Sequence, residues 1–66
     1  MNCDLVGLME SKWFKNDNKL NGLIMLNGRS LTAKEIRKVV RAAVKNGYTE
    51  LYDVPDEFAE SVLQNN

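Results

Sequence analysis

The sequence predicts a small, mainly α-helical single domain: about three helices with a short β-hairpin, an α+β arrangement. An all-α three-helix domain is the alternative. Three observations carry this reading. A Thr-x-x-Glu signature at Thr32 and Glu35 opens a long amphipathic run. Apolar residues recur at helical spacing near both ends of the chain. An apolar stretch, Leu23-Ile24-Met25-Leu26, runs into Asn27-Gly28, a strong signal for a two-residue hairpin turn.

The N-terminal element is expected near residues 3–14. Leu5, Met9 and Trp13 recur every four residues, with Val6 and Leu8 beside them, which is a helical stripe. On that stripe Trp13 and Met9 belong to the core, whereas Phe14 lies off it and is the better candidate for exposure. Gly7 weakens the helix by roughly 1 kcal/mol relative to alanine. Asn16-Asp17-Asn18 then supplies turn-forming residues that end it. Residues 22–31 follow as a strand or hairpin, with Arg29-Ser30-Leu31 as a short return. A two-stranded hairpin is marginal alone, so it needs the helices as backing.

The middle helix is the best signed. The Thr32 hydroxyl can accept from an unpaired first-turn N–H, and the Glu35 carboxylate can reach back to the Thr32 N–H, forming a capping box. Leu31 and Ile36 complete it as a hydrophobic staple. The helix is expected over 33–46, closed by Gly47 in a left-handed conformation. Ile36, Val39, Val40, Ala43 and Val44 share one face, and Lys34, Arg37, Lys38, Arg41 and Lys45 the other. Residues 48–54 read as a short strand or a single helical turn. A last helix near 55–64 follows, since Pro55 suits a first turn and Asp56 and Glu57 suit its positive end. Phe58, Ala59, Val62 and Leu63 make its apolar face, and residues 65–66 are a frayed terminus. The expected core is Leu5, Met9, Trp13, Leu23, Met25, Leu31, Ile36, Val39, Val40, Ala43, Val44, Leu51, Phe58, Val62 and Leu63.

Composition narrows the function. The chain has 66 residues, nine basic and nine acidic side chains, one cysteine and no histidine. That length allows one domain, spanning 1–66. A domain this small buries only roughly 60% of its unfolded surface, and small domains commonly add disulfides, metals or self-association. With Cys3 as the only cysteine there is no internal disulfide, and a zinc site of the usual Cys/His kind cannot be built. Triads built on imidazole are excluded. Cys3 has no recognisable base near it and reads as an ordinary thiol rather than a nucleophile. None of the glycines forms a phosphate-cradling motif. The expectation is therefore a protein that is not an enzyme and has no catalytic, cofactor-binding or metal-binding residues. No small-molecule substrate is evident. No apolar run approaches the ~20 residues that cross a bilayer. No membrane association and a cytoplasmic location are expected.

The neutral total hides a polarity. Residues 29–47 carry a net charge of +5 and residues 48–66 a net −5, while residues 1–28 are balanced. Asp53, Asp56, Glu57 and Glu60 repeat the i, i+3, i+4, i+7 spacing of Lys34, Arg37, Lys38 and Arg41. If the last helix starts near Asp53, its carboxylates form one stripe opposite its apolar face. Two helices sharing one core then point their charged faces outward, towards solvent, a partner or another copy. Pairing of unlike faces between copies is heterologous, closing into a ring or running on as a filament. Charge complementary to the helix dipoles on solvated faces is the plain alternative.

Two functions remain. The first is a non-enzymatic protein–protein interaction module, self-association included, with the acidic stripe as one partner face. The second is a small nucleic-acid-binding protein using Lys34, Arg37, Lys38, Arg41 and Lys45 along the phosphate backbone. Lys12-Trp13-Phe14-Lys15, with aromatics between cations, suits stacking on single-stranded bases. A sequence pI of about 6.2 lies below the basic range of dedicated nucleic-acid binders and favours the first.

Overall fold

A computed structural model describes residues 4–64. The expected start of the first helix at residue 3, the reading of Cys3 and the fraying of residues 65–66 lie outside them. Within them the chain is a mainly helical α+β domain. Its elements are α1 (Leu5–Glu10), a 3-10 turn (Lys12–Lys15), α2 (Asp17–Leu20), β1 (Met25–Leu26), β2 (Arg29–Ser30), α3 (Ala33–Lys45), a second 3-10 turn (Leu51–Asp53) and α4 (Asp56–Gln64). The expected middle and last helices and the hairpin are all present, shifted by a residue or so at their ends.

The single helix expected over 3–14 is instead broken at Ser11. Asp4 caps α1, its Oδ1 accepting the Val6 N–H at 3.3 Å. Ser11 then turns extended, and both its hydroxyl and its N–H donate to the Leu8 carbonyl, at 2.7 and 3.1 Å. A hydroxyl that captures a helix carbonyl offers the backbone a way out of the helix. The break resets the helical phase, so Trp13 no longer shares the Leu5–Met9 face. Trp13 is 51% exposed and Phe14 only 5%, the reverse of the expected assignment. Asn16 ends this turn but also starts another: its Oδ1 accepts the Lys19 N–H at 3.3 Å and caps α2, which delivers Leu20 into the core.

The hairpin pairs Met25 with Ser30 and Leu26 with Arg29 in antiparallel register. Asn27 (φ 54°) and Gly28 (φ 79°) both take positive φ, as a two-residue hairpin turn of the favoured hand requires. Two further hydrogen bonds extend the pairing, from Leu31 N–H to the Ile24 carbonyl and from Gly22 N–H to the Leu31 carbonyl, at 3.0 and 2.9 Å. Side chains alternate along a strand, so with Leu26 buried Met25 must point out. Leu23 and Met25, expected in the core, are exposed for this reason.

The α3 capping box forms as expected. The Glu35 N–H donates to Thr32 Oγ1 at 3.3 Å, and the Thr32 N–H donates to Glu35 Oε1 at 3.0 Å. Asn21 Oδ1 accepts the Ala33 N–H at 2.7 Å, a further first-turn donor satisfied from α2's end. Gly47, at φ 92°, follows the helix as expected. The chain then returns to α1, with the Leu5 N–H donating to the Thr49 carbonyl at 3.0 Å and Asp4 bridging to Glu50.

α4 begins at Asp56, not near Asp53. Val54 precedes Pro55 and is extended (φ −77°, ψ 116°), as steric conflict with the proline ring favours. Asp53 is thereby separated from the helix, and the expected four-carboxylate stripe on one helix does not form. Phe58 meets Tyr48 edge-on, ring centroids 5.3 Å apart.

The core centres on α3. Leu5, Leu31, Ile36, Val39, Val40 and Ala43 are buried as expected. Leu8, Phe14, Leu20, Leu26, Ala33 and Ala59 are buried although the expected core omitted them. Met9, Val44, Leu51, Phe58, Val62 and Leu63 are partly buried against this cluster. No helix among the described residues is long and apolar enough to cross a membrane.

Candidate interaction surfaces

The five cations singled out on α3 are not one uniform face. Arg37 is turned onto the first 3-10 turn. Its Nε donates to the Phe14 carbonyl at 2.7 Å and a terminal nitrogen pairs with Asp17 Oδ1. Arg41, one turn on, holds its guanidinium 5.5 Å from the Phe14 ring centroid, within cation–π range. These contacts pin the 3-10 turn to α3, so part of the cationic face acts inside the fold. Lys34, Lys38 and Lys45 are exposed. Beside them the 3-10 turn and α2 add Lys12, Lys15 and Lys19 around the exposed Trp13, with the Lys19 ammonium 5.7 Å from the indole centroid. The cationic side of the molecule thus draws on three elements, α3, the 3-10 turn and α2, and has an aromatic ring at its edge.

The acidic residues are also divided. Glu60 accepts a hydrogen bond from the Asn27 side chain, tying α4 to the hairpin turn. Asp53 stands on the second 3-10 turn, Asp56 and Glu57 at the start of α4, all three exposed. Glu35 acts as a cap rather than a ligand. The Thr32 backbone N–H holds its carboxyl below the ordinary glutamate value, against partial desolvation and with help from Arg29, whose Nη1 lies 3.2 Å from Oε2.

Between the hairpin, the second 3-10 turn and α4 lies an open groove of about 260 Å³. Its floor includes Leu26, Leu31, Val39 and Ala59, all buried core residues. Its rim includes Met25 and Tyr52, 61% and 72% exposed, and Asp56. Apolar side chains dominate it and a carboxylate stands at its edge. The volume falls below the roughly 300–1,000 Å³ of small-molecule pockets and suits one or two side chains. Val39 and Arg41 are two positions apart, about 200° on a helix of 3.6 residues per turn. The groove and the cationic side therefore lie on roughly opposite flanks of α3.

The groove was not anticipated, and Trp13 was placed in the core, its exposure entering only through the base-stacking reading of Lys12-Trp13-Phe14-Lys15. The signal for the first was the two-residue period before Asn27-Gly28, which places Leu26 and Met25 on opposite faces. The signal for the second was Ser11, a residue able to end a helix at mid-stripe. Among the described residues no group of three or more Cys, Asp or Glu is placed to hold a metal ion. No known protein family, curated protein or solved structure matches the chain.

Proposed function

We propose that this protein is a non-enzymatic protein–protein interaction module that takes an apolar side chain of its partner into the groove between the hairpin and α4. The observation that carries the reading is the exposure of Met25 and Tyr52 on the rim of an apolar depression that reaches the core residue Val39. Exposing such side chains together costs solvation free energy that a partner recovers, at about 25 cal/mol per Å² of apolar surface covered. Methionine adapts to varied shapes and tyrosine is a frequent anchor at interfaces. Asp53, Asp56 and Glu57 at the same end favour a partner segment that adds lysine or arginine to its apolar anchor.

Peptide display against the immobilised protein tests this. The expected result is enrichment of peptides with an aromatic or aliphatic anchor flanked by basic residues, lost on Met25→Glu. Failure to enrich any such sequence, or enrichment indifferent to Met25→Glu, removes the reading.

One observation favours a second reading, single-stranded nucleic-acid binding: the exposed Trp13 ring with Lys12, Lys15 and Lys19 beside it. Stacking of a base on such a ring contributes about 1–3 kcal/mol, and the lysines would contact phosphates. Of the cations first considered on α3, Lys34 and Lys45 would extend the path, while Arg37 is engaged with Phe14 and Asp17 and Arg41 lies over the Phe14 ring. Titration with a labelled oligothymidylate at low salt is expected, on this reading, to quench Trp13 fluorescence. An unchanged signal removes it.

A further inference from the structure

We infer that the groove's partner is a second copy of this chain, and that Trp13 with its neighbouring lysines is the element that enters it. The inference rests on the interaction-module reading above and names its partner. The groove calls for one large apolar side chain accompanied by cations. The molecule presents such an element on its own surface. Trp13 is half-exposed, and Lys12, Lys15 and Lys19 are exposed on the same turn and the helix after it. The receiving end carries Asp53, Asp56 and Glu57, which hold no ion pair among the described residues. An indole is a large apolar body with a single donor, and the Asp56 carboxylate lining the groove can accept it. Charge and apolarity are complementary between the two surfaces at once.

The placement of the two surfaces fixes the kind of assembly. They lie on opposite flanks of α3, so one molecule cannot satisfy its own groove. Two copies cannot exchange the contact symmetrically without a second, unrelated interface. Each added copy leaves one Trp13 and one groove open, which is a heterologous contact that grows head to tail. The path differs from a simple meeting of the α3 cations with the α4 carboxylates. Arg37 and Glu60 are engaged within the fold, and the cations that approach the groove come from residues 12–19.

Two variants, each blocking one surface, separate this arrangement from the others. Trp13→Ser removes the entering side chain and Met25→Glu places a charge on the receiving rim. Both positions are exposed, and circular dichroism verifies that each variant keeps the wild-type fold. In sedimentation at low ionic strength the wild type is expected to show a mass average that at least doubles as concentration rises. Its apparent association should weaken about tenfold as salt shortens the Debye length from about 30 to about 3 Å. Each variant alone should remain monomeric. Their equimolar mixture should form a one-to-one dimer that does not grow, because only one productive contact remains. A wild type that stays monomeric overturns the inference. So does a variant that still dimerises alone, which would reveal a symmetric interface, or a mixture that stays monomeric. If these fail while displayed peptides still require Met25, the groove binds a foreign partner and only the self-association is lost.

Discussion

On the Arg37 side of α3 a cation is drawn inward: its guanidinium reaches a backbone carbonyl and a carboxylate together, and the 3-10 turn closes over Phe14. On the Val39 side Glu60 ties α4 to the hairpin turn through the Asn27 side chain, but beside that tie an open apolar groove remains between the hairpin, the second 3-10 turn and α4. The contrast follows from side-chain chemistry. Arginine has a long stem and a planar fork of donors that can satisfy two acceptors at once. The aspartates near the groove have short stems and accept only, so they cannot bridge it and close it. A strongly charged helix face can thus be partly structural, while the uncovered apolar side chains at the groove lie on the opposite flank of the same helix.

The largest expected effect comes from exchanging the roles of two adjacent aromatics. Phe14→Ala should destabilise the domain by about 3–5 kcal/mol, as loss of a buried ring does. Trp13→Ala should cost distinctly less, about 1 kcal/mol, because half of its ring is already in solvent. Urea unfolding followed by circular dichroism measures both, and equal costs would break the distinction between closed and open sides. The domain has only about 3–10 kcal/mol of stability to lose, so at the lower end of that range Phe14→Ala unfolds it outright.

A smaller effect tests the closing cation. Arg37→Ala should cost about 1–2 kcal/mol, chiefly through the unpaired Phe14 carbonyl, since the Asp17 partner is exposed and screened. Lys34→Ala, on the same helix, should lie within about 0.5 kcal/mol of wild type. If the two variants melt alike, α3's cations form a uniform solvated face after all. Thr32→Ala should cost about 1 kcal/mol by removing the cap at the start of α3, and both sides of the molecule should loosen together, seen as faster amide exchange throughout α3.

The smallest effect is one of pH. Glu35 is held below its ordinary value first by the Thr32 N–H. The unfolded chain therefore binds that proton more tightly than the folded one. The contribution to stability is complete above the ordinary glutamate value of about 4.3 and is lost as pH falls through the lower folded value. Glu35→Gln should flatten this acid limb of the urea midpoint, and an unchanged acid limb would show that Glu35 does not contribute to it.

Much of the scaffold was legible in the residues. The Thr32–Glu35 box, the α3 apolar face and the Asn27-Gly28 turn are local signals whose physics does not depend on the rest of the fold. The errors arose where a single residue changes phase. Ser11 interrupts the Leu5–Met9–Trp13 period and exchanges Trp13 with Phe14. The Val54-Pro55 step delays α4 and detaches Asp53 from its stripe. One position along β1 decides between Leu26 inside and Met25 outside. For the candidate surfaces, local spacing shows the cations and acids only as charged groups of opposite sign. Which of them are engaged inside the fold depends on contacts such as Arg37 to Phe14, 23 residues apart, that no local pattern encodes.

If the exposed Trp13 side and the groove side are complementary halves of one contact, as inferred above, both must respond to dilution together. Amide chemical shifts recorded on dilution of the wild-type protein at low salt test it most directly. Two clusters are expected to move together with one concentration dependence, one over residues 12–19 and one over residues 23–26 and 51–56. Shifts confined to a single cluster, or none at all, would contradict it.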